Sequence, residues 1–125
     1  MNTPNTDGLD HVNATTLRVL EDARTLLADP EHWTKRALAR NTRGRRTDPK
    51  NPAACKWCLE GAVRKVAPGD DYPLSSSFAL GILWEHINTP DIWVFNDQQS
   101  TKHEHVLATL DTAIQHVREI AGLPT

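Results

Sequence analysis

The stretch TKHEHVLATLDTAIQHVREI, residues 101–120, decides the fold class because its apolar residues recur at helical spacing. Thr101 and Glu104 precede the apolar stripe at the spacing of a capping box, in which two side chains satisfy free amide groups at a helix start. We therefore predict an amphipathic helix of about five turns, with Thr101 and Glu104 as its structural cap. Its expected core positions are Val106, Leu107, Leu110, Ala113, Ile114, Val117 and Ile120.

Three more helices are predicted upstream of this one. Residues 14–28 carry the same apolar periodicity after Asn13, whose side chain can cap a helix. Asn51 is followed by proline, the residue favoured at the first helical position, which predicts a helix over 52–66. The serines that begin SSSFALGILWEHI, residues 75–87, predict the cap of another helix. Its expected core positions are Phe78, Ile82 and Leu83.

The remaining segments are less regular. IWVF, residues 92–95, is a short apolar run typical of a strand or an extended connector, and it offers a β ribbon with residues near Trp33. Residues 1–12 are mostly polar and predict a disordered leader. The predicted fold is therefore mainly α: a compact single domain over residues 13–125 with about four helices and, as an option, a short β ribbon.

Length and composition restrict the class of protein. The 125 residues and 14.0 kDa suit one domain. No window holds the roughly 18 apolar residues of a membrane-spanning helix, and the N-terminus lacks the basic and apolar regions of a signal peptide. We therefore expect a cytoplasmic protein with no membrane partner.

A strongly basic segment, residues 34–50, contrasts with the overall net charge of -2. Seven cations accompany the single acid Asp48, so the segment carries +6 and the rest of the chain -8. Such a block is typical of a flexible, exposed loop that is either merely solvated or contacts an anionic partner. We expect a protein or another anionic macromolecule as partner, with nucleic acid as an alternative. The candidate contacts are Trp33, Lys35, Arg36, Arg40, Arg43, Arg45, Arg46 and Lys50.

Cys55 and Cys58 form a C-x-x-C pair inside the predicted second helix. Their spacing places both on one helix face, and cysteine often behaves as a small buried hydrophobe, so we interpret them as reduced core residues. Two alternatives stay open. A metal site would use Cys55, Cys58 and His103, and a cysteine-dependent enzyme would use Cys58 with His103 and Asp97.

No motif of a named enzyme class accompanies these residues. The sequence contains no G-x-S-x-G elbow, no H-E-x-x-H pair and no phosphate-binding glycine loop. We therefore predict no cofactor and rank an enzyme below a binding protein.

Three short motifs resemble a family of small uncharacterised proteins from actinobacteria and their bacteriophages. The motifs are Trp33 with Ala37-Leu38-Ala39, CLEGA at residues 58–62, and WVFND at residues 93–97 followed by Thr101. The resemblance spans residues 15–121 and implies no established activity. It implies positions of interest at Cys58, Gly61, Asn96, Asp97 and Thr101, and it adds a phage-encoded protein of the host cytoplasm as an alternative.

Gly61 has a physical interpretation besides the resemblance. A glycine inside a helix costs about 1 kcal/mol relative to alanine, so it indicates close packing against another element. Together these observations predict a small cytoplasmic binding or regulatory protein that interacts through a surface including residues 34–50.

Overall fold

The computed structural model describes the backbone of residues 6–69 and 72–123 and the side chains of residues 11–69 and 74–123. This part of the chain contains five α-helices, one 3-10 helix and three short strands. The helices are α1 (Thr6–Leu27), α2 (Leu59–Val66), α3 (Tyr72–Trp84), α4 (Ile92–Asp97) and α5 (His103–Ile120). The 3-10 helix (Pro30–His32) and strands β1 (Ala39–Arg40), β2 (Arg46–Thr47) and β3 (Lys56–Trp57) lie between α1 and α2.

The core forms where α1 packs against α2, α3 and α5. Both long helices bury the apolar stripe that their sequences carry, because each stripe can leave water only by facing another element. The buried positions include Leu20, Ala23 and Leu27 of α1 and Val106, Leu110, Ala113 and Val117 of α5. The protein is a compact, mainly α domain, which confirms the predicted fold class.

The strands form a small antiparallel sheet in the order β2-β1-β3. Ala39 lies opposite both Thr47 and Trp57, and the side chains of Ala39 and Trp57 are buried. Trp33 adds an isolated bridge to Trp57. A β ribbon near Trp33 is therefore present, although its strands come from residues 39–57 and not from residues 92–95.

Helix α1 begins earlier than predicted. It starts at Thr6 instead of after Asn13, so residues 6–12 are helical and the prediction of a disordered leader is wrong for them. Lengthening a helix adds one hydrogen bond per residue to an existing nucleus, which is easier than starting a new one. Residues 1–5 of the predicted leader lie outside the described residues.

The predicted helix over residues 52–66 is wrong in its first half. Asn51 does not cap a helix: its Oδ1 accepts a hydrogen bond from Ala53 N at 2.8 Å and holds a local turn. The chain then runs extended, with Cys55 N donating to Arg40 O at 2.8 Å, before α2 starts at Leu59. Cys55 and Cys58 therefore do not share a helix face.

The apolar run at residues 92–95 belongs to helix α4 and is neither a strand nor an extended connector. A short apolar run does not by itself distinguish a buried strand from a buried helix. In α4, Ile92 and Asn96 lie four residues apart and both are buried. The helical period thus pairs an apolar residue with a polar one on the inner face, which the sequence does not reveal.

The predicted caps of the last two long helices are also wrong. The serines at 75–77 lie inside α3, which starts at Tyr72, and in this longer helix Leu83 is buried while Phe78 is 46% exposed. Helix α5 starts at His103, and His105 Nδ1 accepts a hydrogen bond from Lys102 N at 2.9 Å. Lys102 is therefore the N-cap residue in place of Thr101, and His105 is the residue that reaches back to it in place of Glu104. No described helix is long and apolar enough to cross a membrane.

Candidate ligand-binding cleft

Helix α4 has one face turned toward the core and another that lines a surface cleft. Ile92 and Asn96 point into the protein, whereas Trp93 and Asp97, each one residue later, line a cleft at the surface. Residues four apart in a helix share a face, so both pairs follow directly from the helical geometry. One short helix thereby supplies an internal anchor and a wall of the cleft.

Asn96 is fully buried and uses its whole amide group for hydrogen bonds. Its Oδ1 accepts from Trp33 Nε1 at 2.7 Å and from Leu59 N at 3.0 Å, and its Nδ2 donates to Thr34 O at 3.1 Å. An indole N–H and a backbone N–H can only donate, so the atom facing them must be the amide oxygen. We call these four residues the Asn96 network. It joins the segment after α1 to the start of α2 and to α4.

Asp97 holds the next residues of that segment in an unusual conformation. Its Oδ1 accepts a hydrogen bond from Arg36 N at 2.9 Å and another from Asn96 Nδ2 at 3.0 Å. Arg36 has φ 68°, the left-handed region that costs a non-glycine residue about 1–2 kcal/mol. The structure therefore retains backbone strain at the rim of the cleft, a place where such strain often accompanies function.

Cys58, which lines the cleft, and Gly61 hold the start of α2 against Leu38. Cys58 is the N-cap of α2, and its Sγ accepts a hydrogen bond from Gly61 N at 3.2 Å. Cys58 N donates to Leu38 O at 3.2 Å, and a Cβ added to Gly61 would overlap that same carbonyl group. The C-x-x-G spacing thus lets the chain at Leu38 lie directly against the first turn of α2.

The Cys58 side chain is a thiol at neutral pH. Burial raises the pKa of the thiol to about 11, and the negative charges of Glu60 and Asp97 add to the rise, while the hydrogen bond from Gly61 N opposes it. A cysteine nucleophile or metal ligand reacts as the thiolate, so this environment disfavours both roles. Asp97 lines the same cleft, but His103 Nε2 pairs with Leu27 O at 2.6 Å, away from the lining.

The cleft has a volume of about 470 Å³. It is lined by residues 36–38 and Arg46 of the basic segment, by Cys58 and Glu60 at the start of α2, and by Trp93 and Asp97 of α4. Both acids are already engaged: Glu60 pairs with Arg64 at 2.6 Å, and Asp97 binds the Arg36 backbone. Trp93 is 54% exposed, which makes it a large apolar surface open to a ligand.

A row of three cations crosses the outer face of the sheet. Arg40 lies directly opposite Arg46 on one side and Lys56 on the other. Like charges opposite one another destabilise a sheet unless an anion lies near them. Arg40 donates to Thr34 Oγ1 and to the carbonyls of Lys35 and Gly44, and Lys56 donates to Glu31 O. The hydrogen bonds of both side chains therefore end on neutral oxygens, and no carboxylate of the described residues neutralises their charge.

The basic segment is a formed hairpin, which corrects the prediction of a flexible loop. Asn41 Oδ1 accepts from Arg43 N at 2.9 Å and from Arg45 N at 3.1 Å, and Gly44 adopts φ 75° in the turn. Four exposed side chains have no hydrogen bond or ion pair to the described residues, and we call them the arginine face: Arg36, Arg43, Arg45 and Arg46.

Other predicted partner-binding residues are engaged within the protein. Trp33 is half-buried in the Asn96 network, with the ammonium of Lys35 5.4 Å from its ring centre. Lys35 Nζ donates to Gln98 O at 2.6 Å, and Lys50 Nζ donates to Ala67 O at 2.7 Å. The tryptophan exposed at the cleft is instead Trp93, which sequence reasoning missed because an IWVF run interpreted as a strand or an extended connector does not indicate which side chains face solvent.

The metal alternative has no support from the arrangement of side chains. Across residues 6–69 and 72–123, no three or more His, Cys, Asp or Glu side chains are grouped to hold a metal ion. Cys58 instead accepts a backbone hydrogen bond, and the ring of His103 packs against Trp33 with centroids 6.0 Å apart.

Residues 11–116 match DUF6197, a family of unknown function. The chain belongs to this family. The DUF6197 match includes the whole cleft, the arginine face and the Asn96 network. No curated protein and no solved structure matched the chain.

Proposed function

We propose that this protein is a cytoplasmic binding protein that contacts an anionic macromolecule through the arginine face and the adjoining cleft. The observation that carries the proposal is the arginine face itself: a formed hairpin and Arg36 just before it present guanidinium groups that no described carboxylate neutralises. An ion pair between exposed side chains is worth little, but a set of unpaired cations on a fixed scaffold binds a polyanion by releasing its counterions.

The distribution of acids supports the same proposal. The chain outside residues 34–50 carries -8, yet the two acids that line the cleft are held by Arg64 and by the Arg36 backbone. A partner approaching the cleft therefore meets unpaired guanidinium groups, while Glu60 is paired with Arg64 and Oδ1 of Asp97 is occupied by the Arg36 backbone. Electrostatic attraction of this kind raises association rates and makes affinity fall with salt.

The test compares two double variants that each remove two positive charges. Arg43→Ala/Arg45→Ala removes charge from the arginine face, and Arg18→Ala/Lys102→Ala removes it from exposed positions of α1 and of the α5 start. We expect the first to weaken binding to immobilised heparin at least tenfold at low salt, and the second to leave it nearly unchanged. Equal effects of the two variants would reject a dedicated surface. Thermal unfolding of both variants checks that each remains folded.

A further inference from the structure

We infer that the anionic partner is a single-stranded nucleic acid, with one base stacked on Trp93 inside the cleft. The inference rests on the proposed function and specifies the chemistry of its partner. Four observations lead to it: the exposed indole, the size of the cleft, the cations that line it, and the unused acceptor of Asp97.

The indole of Trp93 is available as a stacking surface. It is 54% exposed, and its Nε1 has no hydrogen-bond partner among the described residues. Trp84 is equally exposed at 54% but donates its indole N–H to Pro90 O at 3.0 Å and lies outside the cleft. Aromatic side chains beside a basic surface stack bases without regard to sequence, since every base has a π face.

The cleft accepts a unit of nucleotide size. Its volume of about 470 Å³ lies within the range of sites that enclose small organic ligands. A base that is paired inside a duplex has both faces covered and cannot reach an indole at the side of a cleft. A single strand exposes its bases, so the cleft favours the single strand over the duplex.

The cations lie where the phosphates of such a strand would pass. Arg36 and Arg46 line the same cleft as Trp93, and the row Arg46, Arg40 and Lys56 continues across the sheet. A base on Trp93 would therefore place its phosphate toward Arg36 and Arg46, and the neighbouring phosphate toward the cation row. Arginine suits this role because its planar guanidinium matches the geometry of phosphate oxygens.

Asp97, which lies in α4 like Trp93, supplies an acceptor in the same cleft. Its Oδ1 is occupied by Arg36 N and Asn96 Nδ2, whereas its Oδ2 accepts no hydrogen bond from the described residues. A free carboxylate oxygen next to a stacked ring can accept a hydrogen bond from a base amino group. A nucleobase carries its amino donor on the edge of the flat ring that would stack on Trp93, whereas the carboxylates of an acidic peptide would meet the carboxylate of Asp97, so the cleft fits a nucleotide better than an acidic peptide.

The experiment measures fluorescence anisotropy with three labelled probes: a 12-nucleotide single strand of mixed sequence, a duplex of the same length, and a heparin fragment. Each probe is titrated with the wild-type protein at several salt concentrations. We expect the single strand to bind at least tenfold more tightly than the duplex. If the four residues of the arginine face each contact one phosphate, log affinity should fall against log salt with a slope of about -2.8.

Variants of two equally exposed tryptophans separate stacking from charge. We expect Trp93→Ala to weaken binding of the single strand roughly 5- to 150-fold, with the salt slope unchanged, because stacking on one aromatic side chain contributes about that much. Trp93→Phe should recover most of the affinity, since phenylalanine also stacks. Trp84→Ala should bind like the wild type.

Two results would overturn the inference. If Trp93→Ala binds the single strand like the wild type, or if the duplex binds as tightly as the single strand, no base occupies the cleft. If heparin still binds in either case and the Arg43→Ala/Arg45→Ala variant loses that binding, the proposed function stands while the inference falls. Absence of salt-dependent binding to all three probes would reject both.

Discussion

At the scale of single residues, Arg36 combines strain with a candidate contact. The Arg36→Gly variant should keep the left-handed turn without a Cβ, which relieves about 1–2 kcal/mol of strain. Glycine also raises the conformational entropy of the unfolded chain, which offsets part of this gain. We expect the free energy of unfolding to rise by up to about 1 kcal/mol and heparin affinity to fall. Urea denaturation and heparin binding measure the two effects.

The Arg36→Ala variant is the control for this prediction. It removes the same guanidinium but keeps a Cβ at φ 68°, so affinity should fall equally without a gain in stability. A large loss of stability in Arg36→Gly would instead show that the arginine side chain packs against the protein.

Cys58 gives the protein a dependence of stability on high pH. The folded-state pKa of about 11 exceeds the ordinary value of 9.0, so the folded protein holds the proton more tightly than the unfolded chain. This contribution is complete below pH 9 and is lost as pH rises toward 11. We expect the free energy of unfolding to fall with a slope of up to about 1.4 kcal/mol per pH unit in this interval.

The Cys58→Ser variant isolates the thiol, because serine retains a capping oxygen and does not titrate there. The difference in unfolding free energy between wild type and variant should therefore change between pH 9 and pH 11. A constant difference would mean that the thiol ionises equally in both states. Rapid alkylation of Cys58 at pH 7 would contradict the same assignment.

At this scale the sequence indicated which residues matter, but not which groups they contact. The motif resemblance singled out Asn96 and Asp97, and the cost of a helical glycine singled out Gly61. It could not identify the groups these residues contact, because Trp33, Thr34 and Arg36 are about sixty positions away from Asn96 and Asp97. Hydrogen bonds between distant segments leave no periodic trace in a sequence.

At the scale of elements, predictability followed length. Helices α1 and α5 have several turns of apolar periodicity and were predicted as helices, with errors at their ends. Helix α4 has six residues, too few to separate a period of 3.6 from a buried strand. The three strands have two residues each, too few to show an alternation of apolar and polar residues, and they form only because β2 and β3 pair with β1.

The contact between α2 and the segment before β1 depends on the missing side chain of Gly61. A methyl group there would overlap Leu38 O, a backbone atom that cannot rotate away. We expect Gly61→Ala to lower the free energy of unfolding by about 2–3 kcal/mol, although alanine favours helix by about 1 kcal/mol. Gly81→Ala is the matched control, because it lies in α3 with open space at its Cβ position. A stability gain in both variants would show that Leu38 yields easily.

At the scale of the whole molecule, the Asn96 network holds the cleft together. Asn96→Ala leaves Trp33 Nε1, Leu59 N and Thr34 O without their shared partner. Since a buried group left unsatisfied costs about 1–3 kcal/mol, and Leu59 N is buried while the other two groups are partly buried, we expect the free energy of unfolding to fall by about 3 kcal/mol. Asn88→Ala, an exposed asparagine, should change it by less than about 0.5 kcal/mol. Chemical denaturation of both variants is the measurement.

The sequence separations within the Asn96 network also bear on how fast the chain folds and unfolds. Its hydrogen bonds connect residues 37, 62 and 63 positions apart, so long loops must close before any of them forms. The helices need no such closure and can form earlier, so we expect the network to be absent from the transition state. In Asn96→Ala, the whole loss of unfolding free energy should then appear as a faster unfolding rate, while the refolding rate stays nearly constant. Because the same hydrogen bonds hold the segments that line the cleft, we expect the cleft and the resistance to unfolding to form in the same late step.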